Sequence, residues 1–564
     1  MFGGIILKDK AQSILKGSLI LLIANFTVKL IGAAFKIPRT TLLGNEGMGY
    51  FNSAYSIYSG LFVIATAGLP VAVSKMISES VAENRLRDTK RIFSIAYIMF
   101  LIIGIIGTSA LFFGADAYAS TTKYTDANIA IRTIAPAILL VSLMSVYRGF
   151  FQGMRNMYPT AISEVIEALG KLLIGYIAAY LLLGKGLHMA AAGAIFGVTA
   201  GAFLALAVIM LIYRNNKKQI YIGIENAPQS RSTKHITLKL LKIAIPVTIS
   251  ASVFTLTNLI DSIFIGRNLE SIKHFLIDTP LMRQVISETP EYLTDPDLIN
   301  RVHTILYGIY TGKAVVLYNM PPTLVMALCM SLVPAISRAV AQKDSLLIKS
   351  TTTQSLRMVM MFAVPCSVGL LVFAEPILML LYGTTDATLL LQLLSFAVTF
   401  VSMVLVTNSI LQATGHVMVP VANIAISGIV KLIINTSLVS NPAININGAP
   451  IGTTACYFTY MALNLIYIRK ITKADIGLGF WIKPIVSGFA MAAFGWIANE
   501  VLSSIIGIDS RFGAAVCFVT CGAISGIAYF AAMFIVGGIK KSDIVVLPKG
   551  EKIADLLSRM KLLK

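Results

Sequence analysis

Charge is what this sequence has least of. Only 13% of its 564 residues are Asp, Glu, Lys or Arg, about half the ~25% that a water-soluble chain carries. That deficit excludes a soluble enzyme, a disordered scaffold and a nucleic-acid-binding protein, in spite of a net charge of +20. Cysteine is scarce too. The five present, Cys329, Cys366, Cys456, Cys517 and Cys521, all stand in apolar runs. Their odd number and irregular spacing fit neither a disulfide framework nor a zinc site, which leaves packing between helices. Histidine is equally sparse and scattered, at 188, 235, 274, 303 and 416. With no H-x-x-x-H, no phosphate loop and no nucleophile elbow, no catalytic constellation is visible and no enzyme is expected.

Hydrophobic residues are what the chain has in excess, at 56%, with a mean hydropathy of +0.80. A helix crosses a bilayer with about 20 apolar residues. Segmented on that length, the sequence gives fourteen spans, from 17–37 and 50–74 through 240–265, 309–337 and 358–381 to 512–536. The expected fold is an all-α polytopic membrane protein. Its first apolar run has no small-residue cleavage site after a short core, so it reads as a retained span rather than a signal peptide.

The distribution of positive charge orients these spans. With the N-terminus inside, the inner segments hold 31 of the 46 Lys and Arg, the outer loops eight and the spans seven. Lys and Arg accumulate on the cytoplasmic side, so the bias agrees with an even number of spans and both termini in the cytoplasm. Most of the net charge is then topology signal rather than a ligand surface.

The chain also repeats itself. Ser142, Val146, Gln152 and Lys171 recur 260 residues on as Ser402, Val406, Gln412 and Lys431. Gly193, Gly197 and Thr199 recur 255 residues on as Gly448, Gly452 and Thr454, and the run Leu69–Lys75 resembles Leu332–Arg338. Spans 1–6 and 7–12 therefore read as two parallel six-helix repeats, with two extra C-terminal helices. The expected division is an N-lobe with its linker over 1–237 and a C-lobe over 238–470, containing an extracytoplasmic loop at 268–306. Spans 13–14 and a basic cytoplasmic tail fill 471–564. Repeats related by an axis along the membrane normal are a transporter architecture, worked by rocking of the halves.

Ionisable residues inside the spans are the candidates for function, because each is costly to insert. Lys29 and Lys36 are seven apart and fall on nearly one helix face. Lys29 is too deep for easy snorkelling, whereas Lys36, and Arg39 after Pro38, lie close enough to the outer end for an interfacial role to serve as well. Lys313 enters span 8 without an acidic neighbour in sequence. Lys171 follows Glu167 by four residues, the favourable helical pairing, so it reads as neutralised. Its counterpart Lys431 has Ser427 there and reads as unpaired. Arg132 and Arg148 lie near span ends and read as interfacial. Asp261, the deep carboxylate of the second lobe, suits Na+ or H+, since hard cations take oxygen ligands.

Two stretches carry a family likeness. One runs from Lys29 through Lys36, Pro38 and Arg39 to Gly44, Gly47 and Gly49, and on to Ala67–Lys75. The other leads from Leu306 through Gly312 and Lys313 to Pro321, Pro322 and Arg338. Together they resemble the polysaccharide-transporter branch of the multidrug/oligosaccharidyl-lipid/polysaccharide exporter superfamily, stage V sporulation protein B-like and related to the lipid II flippase. The resemblance implies a plasma-membrane flippase that moves an undecaprenyl-pyrophosphate-linked saccharide, lipid II foremost, to the outer leaflet for cell-wall synthesis. It implies membrane lipids and the cell-wall synthesis machinery as partners, and no cofactor beyond Na+ or H+ as a coupling ion. Lys29, Lys36, Arg39, Lys313 and Lys431 become the expected pyrophosphate ligands, and Asp261, Asn435 and Thr454 the expected coupling-ion site. Flippases of this type carry arginines where this chain has lysines, and an aspartate in span 2 that is missing here. Lysine still binds phosphate, as a point charge without the arginine fork. Two other functions compete: a cation-coupled multidrug exporter of the same superfamily, and a membrane-embedded glycosyltransferase or polymerase. The internal duplication argues against the latter.

Overall fold

The computed structural model describes residues 14–66, 68–221, 228, 231–474, 477–507 and 510–539, and among them there is no strand. The chain forms two compact units. One runs to Ser271 and takes in Arg301–Gly308, and the other comprises Ile272–Asn300 and the chain from Ile309 onward.

The first unit opens with α1 (Ile14–Thr66), a helical run broken at Gly44, where φ is +64° and ψ −174°. Side chains rarely tolerate that backbone, and glycine adopts it freely. The expected spans 17–37 and 50–74 thus begin as two arms of one element, with no intervening loop. After it come α2 (Gly68–Ala82), α3 (Leu86–Phe113), the short α4 (Ala115–Thr122), α5 (Asn128–Gly153), α6 (Tyr158–Leu182), α7 (Leu187–Ile220) and α8 (Thr233–Ser271). Aromatic packing knots α3, α5 and α7 together. Phe93 stacks on Tyr213 at 4.8 Å and meets the edges of Tyr147 and Phe150 at 5.2 and 5.3 Å.

Helices α6 and α7 cross on glycines. A Cβ at Gly197 would stand 2.4 Å from the Gly175 Cα, and one at Gly193 would stand 2.7 Å from the Ala178 carbonyl carbon. Small residues of this kind let membrane helices approach backbone to backbone. The opposite face of α6 presents Leu173, Ile177, Tyr180 and Leu181 outward.

Helix α8 packs with the first unit, so the compact units do not part at the expected boundary of 237 and 238. Four contacts account for this. A Cβ on Gly68 would come within 2.1 Å of the Ala244 carbonyl oxygen, which makes the α2–α8 crossing very close. Beside it, Lys239 reaches Glu79 at 2.6 Å, Arg231 reaches Glu83 at 2.6 Å, and Arg91 donates to Thr233 at 2.8 Å.

The loop expected at 268–306 is helical: α9 (Lys273–Leu276) and α10 (Pro280–Glu288) belong to the second unit, whereas most of α11 (Leu298–Ile309), over Arg301–Gly308, is counted with the first. The expected span 309–337 is cut into a π-turn at Tyr310–Ala314, then α12 (Val315–Tyr318) and α13 (Met320–Ala341). Pro321 and Pro322 lack the N–H that would continue the helix before them. Helix α14 (Ser345–Val372) begins well before the expected 358, because Asp344 caps it by accepting from the Leu347 N–H at 2.9 Å. α15 (Ala374–Tyr382), α16 (Thr388–Ala413), α17 (Met418–Val439), α18 (Gly448–Thr472), α19 (Leu478–Ile506) and α20 (Arg511–Ile535) complete the unit.

Local geometry recurs between the units. Positive φ at Asn84, Lys123 and Arg155 is matched at Lys343, Gly383 and Gly415, offsets of 259, 260 and 260. The turn bond from Asn156 N to Phe151 O, 2.9 Å, is matched by His416 N to Leu411 O, 2.8 Å. At the α17–α18 crossing, Gly448 meets Leu438 and Val439 as Gly193 meets Ala178 and Ala179, but Asn435 replaces Gly175.

Among the described residues, eleven helices are long and apolar enough to cross a membrane. The chain is a multi-span membrane protein. Of the fourteen expected spans, 17–37, 240–265 and 309–337 are not matched among the eleven. The last is interrupted as described, and many side chains of the other two lie outside those described.

Candidate functional site

The break at Gly44 assembles the main polar site. Arg39 and Phe51 are twelve residues apart, about 18 Å along an unbroken helix. In this structure the Arg39 guanidinium instead lies 3.8 Å from the Phe51 ring centroid, and its side chain is buried. Phe51 stacks on Tyr55 at 5.8 Å, and Tyr55 packs against Tyr58. From α6, Lys171 donates to the Tyr55 hydroxyl at 2.9 Å and lies 4.4 Å from the ring centroid. Lys36 lies within electrostatic range of Arg39, Lys171 and Tyr55. Lys36, Arg39 and Lys171 thus converge on one aromatic row. A cation against an aromatic ring contributes about 0.5–2 kcal/mol, by attraction to the ring face.

The pairing expected between Lys171 and Glu167 is absent. Arg148 of α5 takes the carboxylate instead, Nη2 to Oε2 at 2.9 Å, and its Nε donates to Ser163 Oγ at 2.9 Å. The guanidinium offers two directed donors that match a carboxylate and a hydroxyl on adjacent turns, and the ammonium is left to the tyrosine. Arg148, which reads as interfacial from its place near a span end, is part of an interhelical ion pair. Close by, Glu164 Oε2 is buried without a hydrogen-bond partner.

The other expected residues fall elsewhere. Lys29 lies in α1, but its side chain is outside those described. Lys313 is corrected outright: it is not a cation without a counter-charge. Its Nζ meets Asp386 Oδ1 at 2.7 Å and Thr384 Oγ1 at 2.8 Å, inside the second unit. In the first unit the position 260 before Asp386 is also an aspartate, Asp126, and it accepts from the Tyr50 hydroxyl at 3.1 Å.

Lys431 and Asn435 are buried on α17, and the Thr454 hydroxyl donates to the Leu393 carbonyl at 3.4 Å. Asp261 belongs to the first unit, Asn435 and Thr454 to the second. Nearby in the second unit, Asn464 links Thr407 at 2.9 Å, Asn408 at 2.8 Å and Asn423 at 2.9 Å. Asn408 is 260 residues after Arg148, so the charged knot of the first unit has a neutral amide counterpart. Between α14, α16 and α19 lies an apolar cavity of about 270 Å³, walled by Val364, Phe396, Phe400, Trp481 and Phe489.

Sequence reading missed Tyr55, the true partner of Glu167, and Asp386. The first two partnerships are interhelical and leave no spacing signal. The third has one, since Asp126 and Asp386 follow the same 260-residue offset as the motifs.

Long apolar helices, turn geometry paired between the units and buried cations mark this multi-span membrane protein. The model for the polysaccharide biosynthesis protein family matches residues 14–341, and the model for the lipid II flippase MurJ matches 309–507. The chain belongs to the polysaccharide biosynthesis protein family. Among relatives from Bacillus subtilis, the uncharacterized membrane protein YabM is 25% identical over 98% of both chains. Stage V sporulation protein B is 25% identical over 95% of this chain and 98% of its own. Lipid II flippase MurJ is 24% identical over 94% and 97%. Among solved structures, an inward closed lipid II flippase MurJ aligns with a TM-score of 0.64 at 13% identity, covering 92% of this chain and 98% of that one. An inward-facing multidrug transporter of the MATE family aligns at 0.60 and 14%, covering 81% and 98%. These likenesses establish the fold.

Proposed function

We propose that the protein is a flippase for an undecaprenyl-pyrophosphate-linked saccharide, lipid II foremost, carrying it from the inner to the outer leaflet by alternating access. The observation that carries this reading is the cationic row itself. Lys171 rests on a tyrosine rather than a carboxylate, with Lys36 and Arg39 alongside. Cations placed in spans at such cost favour an anionic occupant. A pyrophosphate offers several oxygens for charge-assisted hydrogen bonds, which are about twice as strong as neutral ones. A cationic drug would meet repulsion there. In this reading the chain has fourteen spans in two parallel lobes and cytoplasmic ends, Lys29 adds to the cations of α1, and Asp261 serves Na+ or H+ coupling. Cell-wall synthesis enzymes are its partners. Expression in a strain depleted of its lipid II flippase tests the proposal. Restored growth supports it, and failure at normal membrane abundance argues for a different lipid-linked sugar or cargo.

A further inference from the structure

We infer that Arg148 keeps Lys171 available to the anionic headgroup, acting as a positioning residue for the site proposed above and not as a ligand in it. The inference rests on that reading of the site. Glu167 and Lys171 are four residues apart on α6, the spacing at which a carboxylate and an ammonium pair along a helix. They do not pair. Arg148 crosses from α5, takes the Glu167 carboxylate at 2.9 Å and anchors its other arm on Ser163 at 2.9 Å. Lys171 is left on the Tyr55 hydroxyl at 2.9 Å, a neutral acceptor that leaves its charge uncompensated.

The local charge count makes the arrangement consequential. Glu164 and Glu167 both lie within two turns of Lys171, and Glu164 Oε2 is buried with no hydrogen-bond partner among the described residues. Arg148 is the cation that holds Glu167. Without it, two carboxylates would compete for Lys171, and the ammonium would be neutralised before any ligand arrived.

The second unit supplies an independent comparison inside the same chain. At an offset of 260, Lys171 is retained as Lys431, while Arg148 becomes Asn408 and Glu167 becomes Ser427. Arginine and glutamate are absent together. Where no carboxylate threatens the lysine, no arginine is stationed to hold it.

The test uses the full-length purified protein in detergent micelles, titrated calorimetrically with undecaprenyl pyrophosphate. Arg148→Gln is expected to bind about tenfold more weakly, the equivalent of one lost charged contact. Adding Glu167→Gln to that variant should restore affinity to within about threefold of wild type, because the competing carboxylate is gone. A purely structural arginine would be rescued in thermal stability as well, so binding is compared per folded protein, where only the positioning role makes the single variant weak. A double variant as weak as the single one, at wild-type thermal stability, overturns the inference, as does a single variant that binds like wild type. If Arg148→Gln cannot be recovered folded, the double variant alone decides: retained binding sustains the inference and lost binding overturns it. Wild-type protein that ignores the probe, or Lys171→Ala that binds like wild type, removes the anion site itself and the inference with it.

Discussion

Replacing Lys313 by alanine separates a structural cation from a substrate-binding one. The Lys313 and Asp386 side chains are 6% and 0% exposed, with Nζ 2.7 Å from Oδ1. Deleting one member of such a pair leaves the other as an uncompensated buried charge, at a cost of roughly 3–5 kcal/mol. That is a large part of the ~5–15 kcal/mol by which domains are typically stable. Lys313→Ala should therefore lower membrane abundance and thermal stability sharply, and Asp386→Ala should do the same. Lys313→Met combined with Asp386→Leu should recover much of the loss, because apolar replacement of both partners is often near neutral. The coupling between the two sites can be read from a double-mutant cycle of unfolding temperatures in micelles. If Lys313→Ala keeps wild-type abundance and stability but loses transport, the pair is not structural. Lys313 would then have to be counted among the substrate cations.

Lys36→Ala and Lys171→Ala should lose complementation at near-normal abundance, while Lys171→Arg keeps part of it; the measure is growth of the depleted strain against immunoblotted membrane protein. Gly308→Ala should be poorly recovered, since a Cβ there would stand 1.7 Å from the Asn45 carbonyl oxygen, and a normal unfolding temperature would contradict the tight crossing. Partial burial holds the Glu288 carboxyl above its ordinary 4.5, so the folded state binds that proton more tightly than the unfolded one. Its contribution to stability falls as pH rises from about 4.5 through the raised value. Hydrogen exchange in α10 should quicken across that window in wild type and less so in Glu288→Gln.

The spans were legible because each must be apolar for its whole length, and helix ends such as those of α16 and α20 fall within a residue or two of the hydrophobic runs. Where polar residues extend a helix, as in the Ser- and Thr-rich start of α14, hydropathy places the boundary late. Ion pairs were the least legible feature. The four-residue spacing of Glu167 and Lys171 pointed to a bond that the structure gives to Arg148, because a guanidinium on another helix is invisible to any local rule. Lys313 looked solitary since its carboxylate lies 73 residues away, in a polar stretch that reads as a turn. The Lys36–Arg39 segment was found from sequence, but the aromatic row beneath it depends on the backbone reversal at Gly44.

The exchange of Gly175 for Asn435 bears on how the chain is assembled as it is made. Two helical hairpins of similar hydrophobicity enter the same bilayer from one polypeptide, the first complete long before the second. Each could in principle capture the other's helix. Gly175 lets α7 rest directly on the backbone of α6, whereas Asn435 fills the corresponding hollow in front of Gly452. Docking α17 against α7 would drive an amide into a space with no room for it, and docking α6 against α18 would leave a gap. A Gly175→Asn protein should therefore accumulate misassembled, protease-sensitive chains, as read by limited proteolysis of membranes.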